Sequence, residues 1–252
     1  GTVDIDVRAI YPFENHPFKV LDDEKMDELV ESIKANGVLT PVLLRPDDEG
    51  TYEMISGHRR LHAAKRAGLF RIPAIVKEMT NDEATIAMVD ANVQREEVLP
   101  SEKAFAYKLK VEAMKHQGTS GQLGQKWTRD SIAEGTDDSS RQIHRYIRLT
   151  NLIPGILQMV DDGRIALTPA VEISYLTNRE QRELLETMEC EDCTPSLSQA
   201  IQLKLLSQSG NLDIYTIFDI LTQRKPNQQE KISFRTEDVR KFFPKSYTTA
   251  QM

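Results

Sequence analysis

The first ninety residues switch repeatedly between a period of two and a period near 3.6. Residues 3–10, VDIDVRAI, alternate apolar and polar, the pattern of a half-buried strand. YPFENHPFKV follows with two prolines and reads as a loop. From Asp22 to Asn36, Met26, Leu29, Val30 and Ile33 fall at i, i+3, i+4 and i+7, one face of a helix, with Gly37 as its stop. PVLLRP (41–46) and YEMIS (52–56) are short strands on either side of a DDEG turn. A helix begins at GHRR and ends at Gly68, and IPAIV (72–76) is the next strand. Thr80 and Glu83 form a capping box for a helix reaching about Asn92. Strands alternating with helices in this way make a small α/β domain.

After Pro100 the strand signals stop. Residues 101–117 read as a long helix with Phe105, Leu109 and Met114 among its apolar positions, followed by a GTSGQLGQ loop. All further segments to about Leu206 read as helices. LTPAVEISYL (167–176) starts one with Thr168 as cap and Pro169 in its first turn, and Val171, Ile173 and Leu176 form its core face. SLSQAIQLKLLSQSG and DIYTIFDILTQ are helical as well. The expected fold class is α+β. A small α/β domain (1–98) precedes an all-helical helix-turn-helix domain (99–194) and a helical carboxyl-terminal extension (195–252), read as truncated.

Within the helical part, TRDSIAEGTDDSSRQIHRYIRLT (128–150) holds two short helices. The first spans about Arg129 to Gly135 with Thr128 as cap, and the second starts near Ser139 or Ser140. Ile132, Ala133, Ile143 and Ile147 form their shared core, a spacing that places the second helix in a DNA major groove. Its exposed face carries Ser140, Arg141, Gln142, His144, Arg145 and Arg148; arginine and glutamine pair bidentately with guanine and adenine edges. A bundle helix with a solvated charged face gives the same pattern. Gly135 also stands two residues early for the turn, and Asp137 and Asp138 bring negative charge to the supposed DNA face.

Composition changes this picture in one respect. The formal charge is −7, which argues against a nucleic-acid binder until its distribution is considered. Residues 57–71 hold Arg59, Arg60, Lys65, Arg66 and Arg71 and no acid, whereas residues 22–31 are dominated by Asp and Glu. Arg224, Lys225, Lys231, Arg235, Arg240, Lys241 and Lys245 outnumber the acids of a basic tail. A hydrophobic fraction of 39% fits a folded protein. No apolar run approaches the roughly 18 residues needed to span a bilayer. Cys190 and Cys193, the two cysteines, argue against a disulfide scaffold; their CxxC spacing lacks the further ligands zinc needs, so two reduced thiols are expected. Trp127 reads as core. Gly1-Thr2 reads as a tag remnant and the chain ends without a clear terminal element, so a fragment of a longer protein is expected.

The arginines after Ser56 carry the chemistry. Cations in a helix's first turn oppose its dipole by a few tenths of a kcal/mol to about 1 kcal/mol. A strand running into glycine and then a helix is also an anion-binding geometry, with outward N–H groups. Two guanidiniums beside it fit phosphate better than carboxylate, and a di- or triphosphate best. Asn92, Gln94 and Arg95 cluster at a later helix end, where a solvated junction is the plainer reading.

Taken together, TPVLLRP, YEMISGHRRLHAAKRAGL, IPAIV, NVQREEVLPSEKA and the helix-turn-helix resemble the ParB family of partition proteins over about residues 5–190. The resemblance implies a dimeric, CTP-dependent clamp on double-stranded DNA, loaded at a palindromic centromere-like site and served by a ParA-type ATPase. It also implies a cytoplasmic, nucleoid- or plasmid-associated location without membrane contact. It places the nucleotide at Thr40, Pro41, Ser56, Gly57, His58, Arg59, Arg60, Asn92, Gln94 and Arg95, and DNA at Thr128, Ser139 and the exposed face of the second helix. The family's phosphate motif usually reads GERR, so His58 is a substitution; capping the helix in contact with water is its expected role, ahead of reaching a phosphate. Phe18 stands where a phosphate-binding arginine is usual. Ala91 replaces the glutamate associated with magnesium and hydrolysis, which leaves Asn92 as the magnesium-associated position. Nucleotide binding is therefore expected ahead of hydrolysis, with at most a weak CTPase. The alternatives are a ParB-like nuclease or phosphotransferase, and a nucleotide-independent transcription regulator. For a nuclease, residues 52–71 offer only Glu53 as a metal-binding carboxylate.

Overall fold

The structure, a computed structural model, describes residues 1–47, 50–95, 97–120 and 131–223. Trp127, Thr128, most of the GTSGQLGQ loop, the start of the first helix of the expected helix-turn-helix and the basic tail lie outside the described residues. The chain opens with β1 (Thr2–Asp6) and β2 (Ile10–Pro12), followed by α1 (Glu24–Asn36), β3 (Val42–Pro46) and β4 (Tyr52–Ser56). Then come α2 (His58–Arg66), β5 (Arg71–Val76), α3 (Asn81–Val93) and α4 (Pro100–Ser120). The remainder is helical: a 3-10 turn at Ser131–Ala133, α5 (Ser140–Arg148), α6 (Pro154–Asp161), α7 (Leu167–Ile173), α8 (Asn178–Cys190), α9 (Leu197–Gln208) and α10 (Ile214–Thr222). The fold class is α+β, as expected.

The five strands form one mixed sheet in the order β1-β5-β3-β4-β2. The alternating run at 3–10 is not one strand. The Asp6 carboxylate accepts the Arg8 backbone N–H at 2.8 Å and turns Val7–Ala9 into a 3-10 helix. The chain thereby crosses from one sheet edge, where β1 lies antiparallel to β5, to the other, where β2 lies parallel to β4. The local side-chain hydrogen bond outweighs a period-two pattern that fits a strand equally well.

Helix boundaries follow the capping signals. Asp23 accepts the Met26 N–H and Gly37 closes α1 at φ +71°. Thr80 and Glu83 make the reciprocal capping box of α3. Thr168, by contrast, does not cap α7. Ala166 holds the cap position, and the Thr168 hydroxyl, one residue inside the helix, accepts the Arg145 guanidinium at 2.5 Å.

Three apolar clusters organise the molecule. One lies between the sheet, α1 and α2, with Met26, Leu44, Met54 and Ile72 fully buried. A second, in α4 to α10, holds Ile156, Ile173, Leu184 and Leu203 together with Val171 and Leu176. The third joins the two halves: Ile55 of β4, Met88 and Val89 of α3, Tyr107 of α4 and Ile143 of α5 share one cluster. In α4, Phe105 is exposed, and the inward face runs through Ala106, Tyr107, Lys110, Ala113 and Met114. The helix that ends the α/β part and the helix that opens the helical part are thus packed on each other.

Candidate nucleotide and DNA sites

At the end of β4 the chain turns through Gly57, whose φ is +114°. A β-carbon there would lie 2.6 Å from Val42 Cγ1, so only glycine lets the turn lie against β3. α2 starts at once with no side-chain cap, leaving its first N–H groups to another partner. Arg60 reaches back and donates to the backbone carbonyls of Thr40 (2.7 Å) and Pro41 (2.6 Å). Thr40 and Pro41 thus position an arginine through their carbonyls. Among the described residues the guanidinium pairs with no carboxylate, and burial holds its pKa below the usual arginine value.

Arg59 and Arg95 complete the cluster. Arg59 approaches the Asp23 carboxylate only to 3.7 Å. Arg95 lies just beyond α3, its guanidinium 5.8 Å from the centre of the buried Phe18 ring. Its pKa is lowered by burial first and by Arg59 and Arg60 as well, with Glu102 opposing. Phe18 therefore supports Arg95 from beneath by a cation–π contact. Arg59, Arg95, Phe18, Leu21, Asp23 and Glu102 are among the residues lining a cavity of about 540 Å³. Its three acids are engaged elsewhere: Glu102 accepts the Lys19 and Leu99 N–H groups, Asp23 accepts that of Met26, and Glu97 pairs with Lys25. Three partly buried guanidiniums with so little matching negative charge make an anion site.

Three expected pocket residues behave differently. His58 is no water-exposed cap. It is 6% exposed and stacked on His16 with ring centroids 3.7 Å apart, and neither of its ring nitrogens has a partner. Burial, then the His16 and Arg95 charges, drive its pKa down to about 3. Gln94 faces away from the phosphate turn, its amide donating to the Gly135 carbonyl at 2.8 Å. Asn92 is fully buried; its Nδ2 donates to the Met88 carbonyl, and Oδ1 has no partner.

Magnesium wants several oxygen ligands, carboxylates above all. Among the described residues no group of three or more His, Cys, Asp or Glu side chains is placed to hold a metal. Ala91 contributes none, and Asp90 bonds Lys110 at 2.7 Å. Asn92 Oδ1 alone does not fit a resident magnesium ion. Glu53, the acid a nuclease would need, is paired with Arg45 at 2.5 Å. Cys190 ends α8 and Cys193 follows three residues later, with no disulfide between them.

On the helical side, Ser139 caps α5 by accepting the Gln142 N–H, and Ile143 is fully buried. Asp138 is turned inward: it accepts from Lys103 Nζ (2.9 Å) and Tyr107 Oη (2.6 Å), and only Asp137 of the pair is exposed. Of the expected reading face, Arg141 and His144 are exposed. Arg145 is tied to Gln142 and Thr168. Arg148 is committed to the fold, donating to the Ser174 carbonyl at 2.8 Å and lying 3.9 Å from the Tyr175 ring centre. The Ser140 hydroxyl is buried without a partner.

Sequence reasoning missed Lys110. This side chain is 2% exposed, paired with Asp90 and donating to the Glu134 carbonyl at 2.6 Å. The signal was present, because Lys110 lies four residues after Ala106 and three before Ala113 on the buried face.

A small mixed-sheet domain with an anion-ready strand–glycine–helix turn, packed against a helical domain with an arginine-bearing second helix, is the class these features define. The family whose model matches is the ParB N-terminal domain, over residues 1–93. A chromosome-partitioning protein Spo0J from Thermus thermophilus is 31% identical over 190 residues, covering 74% of this chain and 66% of the relative. A nucleoid occlusion protein from Geobacillus kaustophilus is 38% identical over 109 residues, 43% of this chain and 38% of that one. The chain thus spans about two thirds or less of the curated relatives it matches. The crystal structure of C-terminally truncated ParB from Caulobacter crescentus complexed to the centromeric parS site covers 88% of this chain and 100% of its own, at 20% identity and a TM-score of 0.51, and shares the fold. The chain belongs to the ParB family.

Proposed function

We propose that this protein is a DNA-partition factor: a CTP-gated clamp that loads at a palindromic centromere-like site as a dimer and is served by a ParA-type ATPase. The observation that carries the nucleotide half is the cluster of Arg59, Arg60 and Arg95 around the uncapped start of α2, with few carboxylates to match it. Polyphosphate fits that surplus: amides of residues 57–60 meet its oxygens, Arg59 and Arg95 its charge, and Arg60 stays anchored on the 40–41 carbonyls. Membership of the ParB family supports CTP as the nucleotide and nucleoid- or plasmid-associated DNA in the cytoplasm as the place of action. The Caulobacter relative named as bound to parS supports duplex DNA as the partner.

The DNA half rests on Arg141 and His144 of α5 reading base edges, with Arg145 held beside them by Thr168. The working division is a nucleotide domain over 1–98, a DNA domain over 99–194 and an extension beyond. With Ala91 in place of an acid, hydrolysis is slow or absent. The pairing of Glu53 with Arg45 weighs against a nuclease.

The test is binding of CTP, ATP and GTP, with and without a palindromic duplex, followed in parallel with phosphate release. Selective CTP binding that changes on adding the duplex, with little phosphate released, supports the reading. DNA nicking with magnesium moves it to a nuclease, and duplex binding without nucleotide affinity to a simple regulator.

A further inference from the structure

Beside the guanidinium cluster stands a pair of imidazoles that the proposed clamp does not use. His58 is the first residue of α2 and His16 comes from the loop between β2 and α1; their rings stack 3.7 Å apart at an interplanar angle of 33°. Both His58 nitrogens and His16 Nε2 are buried without a partner. A buried polar atom with no partner costs about 1–3 kcal/mol, a cost the pair carries in this state. Arg95, just after α3, is the charged side chain that bears on both rings, and it is in turn acted on by Arg59 and Arg60 of α2 and by Glu102 of α4. Burial first, and the Arg95 charge after it, keep the imidazoles neutral.

Resting on the nucleotide reading above, we infer that His58 is a charge-variable member of the phosphate site: it takes up a proton when a polyphosphate binds and so becomes a further cation facing the phosphate tail. Through-space attraction suffices, without direct contact. Each negative charge arriving about 7 Å away, at an effective dielectric of about 20, favours the protonated ring by about fiftyfold. A triphosphate brings several, against a starting pKa of about 3 for His58 and about 4 for His16. The sign follows. A group whose pKa is higher in the bound than in the free state strengthens binding as pH falls through the bound-state value. If that value returns to about 6.5, the histidine contribution to affinity grows about tenfold from pH 8 to pH 5.5. His16 acts as a shield, and its ring stacking excludes water from His58.

The experiment is an NMR titration of the His58 imidazole in the free protein and with saturating CTP, repeated with inorganic triphosphate. The expected result is a midpoint below pH 5 in the free protein and between about 6 and 7 in both loaded forms. His16→Phe, which keeps a stacked ring, retains the shift. His58→Gln removes that resonance, and its affinity relative to wild type falls about tenfold between pH 8 and pH 5.5, a ratio in which the ligand's own titration cancels. A His58 midpoint that stays put while the amides of residues 56–60 respond to CTP overturns this inference alone. Silence at those amides overturns the nucleotide reading as well. A shift with CTP but not with triphosphate also overturns the inference, because it assigns the effect to the base.

Discussion

Two clusters of wholly or partly buried cations lie near α3, and they are built in opposite ways. Lys110 is matched group for group: its ammonium meets the Asp90 carboxylate and the Glu134 carbonyl, and almost none of it reaches water. Lys103 and Tyr107 close the same interface on Asp138. In the other cluster, Arg59 has Asp23 at 3.7 Å, Arg95 has the distant influence of Glu102, and Arg60 meets only backbone carbonyls. The first arrangement holds the two halves of the protein together. The second leaves positive charge over, which is tolerable where a ligand supplies the counter-charge. Burial of a cation alone thus says little about function; the local match of charge separates a structural site from a binding one.

The largest effect that sharpens this contrast comes from the closed cluster. Lys110→Met leaves Asp90 facing the buried interface without its cation and costs about 3–5 kcal/mol of stability, read as a lower urea midpoint with unchanged slope. A loss under about 1 kcal/mol would show that the pair is incidental. In the open cluster the pattern inverts. Arg59→Ala with Arg95→Ala lowers CTP affinity about 100-fold or more by calorimetry, while stability stays within about 1 kcal/mol, because removing mutually repelling cations relieves the free protein. Smaller again is the DNA side: Arg141→Ala weakens binding to the palindromic site by about 1–3 kcal/mol and leaves CTP binding unchanged. Arg148→Ala instead lowers the melting temperature, since it severs the bonds to Ser174 and the contact with Tyr175. The smallest effect belongs to Lys34→Ala, which breaks the exposed pair with Glu31 and changes stability by about 0.5 kcal/mol or less.

What could be read from the sequence follows the range of the forces involved. The α1 and α3 boundaries are local, set by Asp23, Gly37, Thr80 and Glu83, and they are found where capping rules place them. The Gly57 turn is equally local, because the switch from strand to helix demands it. The break between β1 and β2 escaped, since an Asp6–Arg8 hydrogen bond leaves no mark on the apolar alternation. Long-range partners were invisible for the same reason. Nothing near His58 announces His16, forty-two positions earlier in the chain. Nothing near Gln94 announces Gly135, and nothing near Arg148 announces Ser174. Surface arginines read from helical periodicity were therefore a mixture of exposed groups and groups already claimed by the fold.

Hydrogen–deuterium exchange on the intact chain, with and without CTP, tests the central claim most directly. The account predicts that CTP slows exchange at the amides of residues 57–60 and 92–95, and that the protection at 57–60 disappears in the Arg59→Ala, Arg95→Ala variant. Unchanged exchange at residues 57–60 under saturating CTP, or equal protection in the variant, would contradict it.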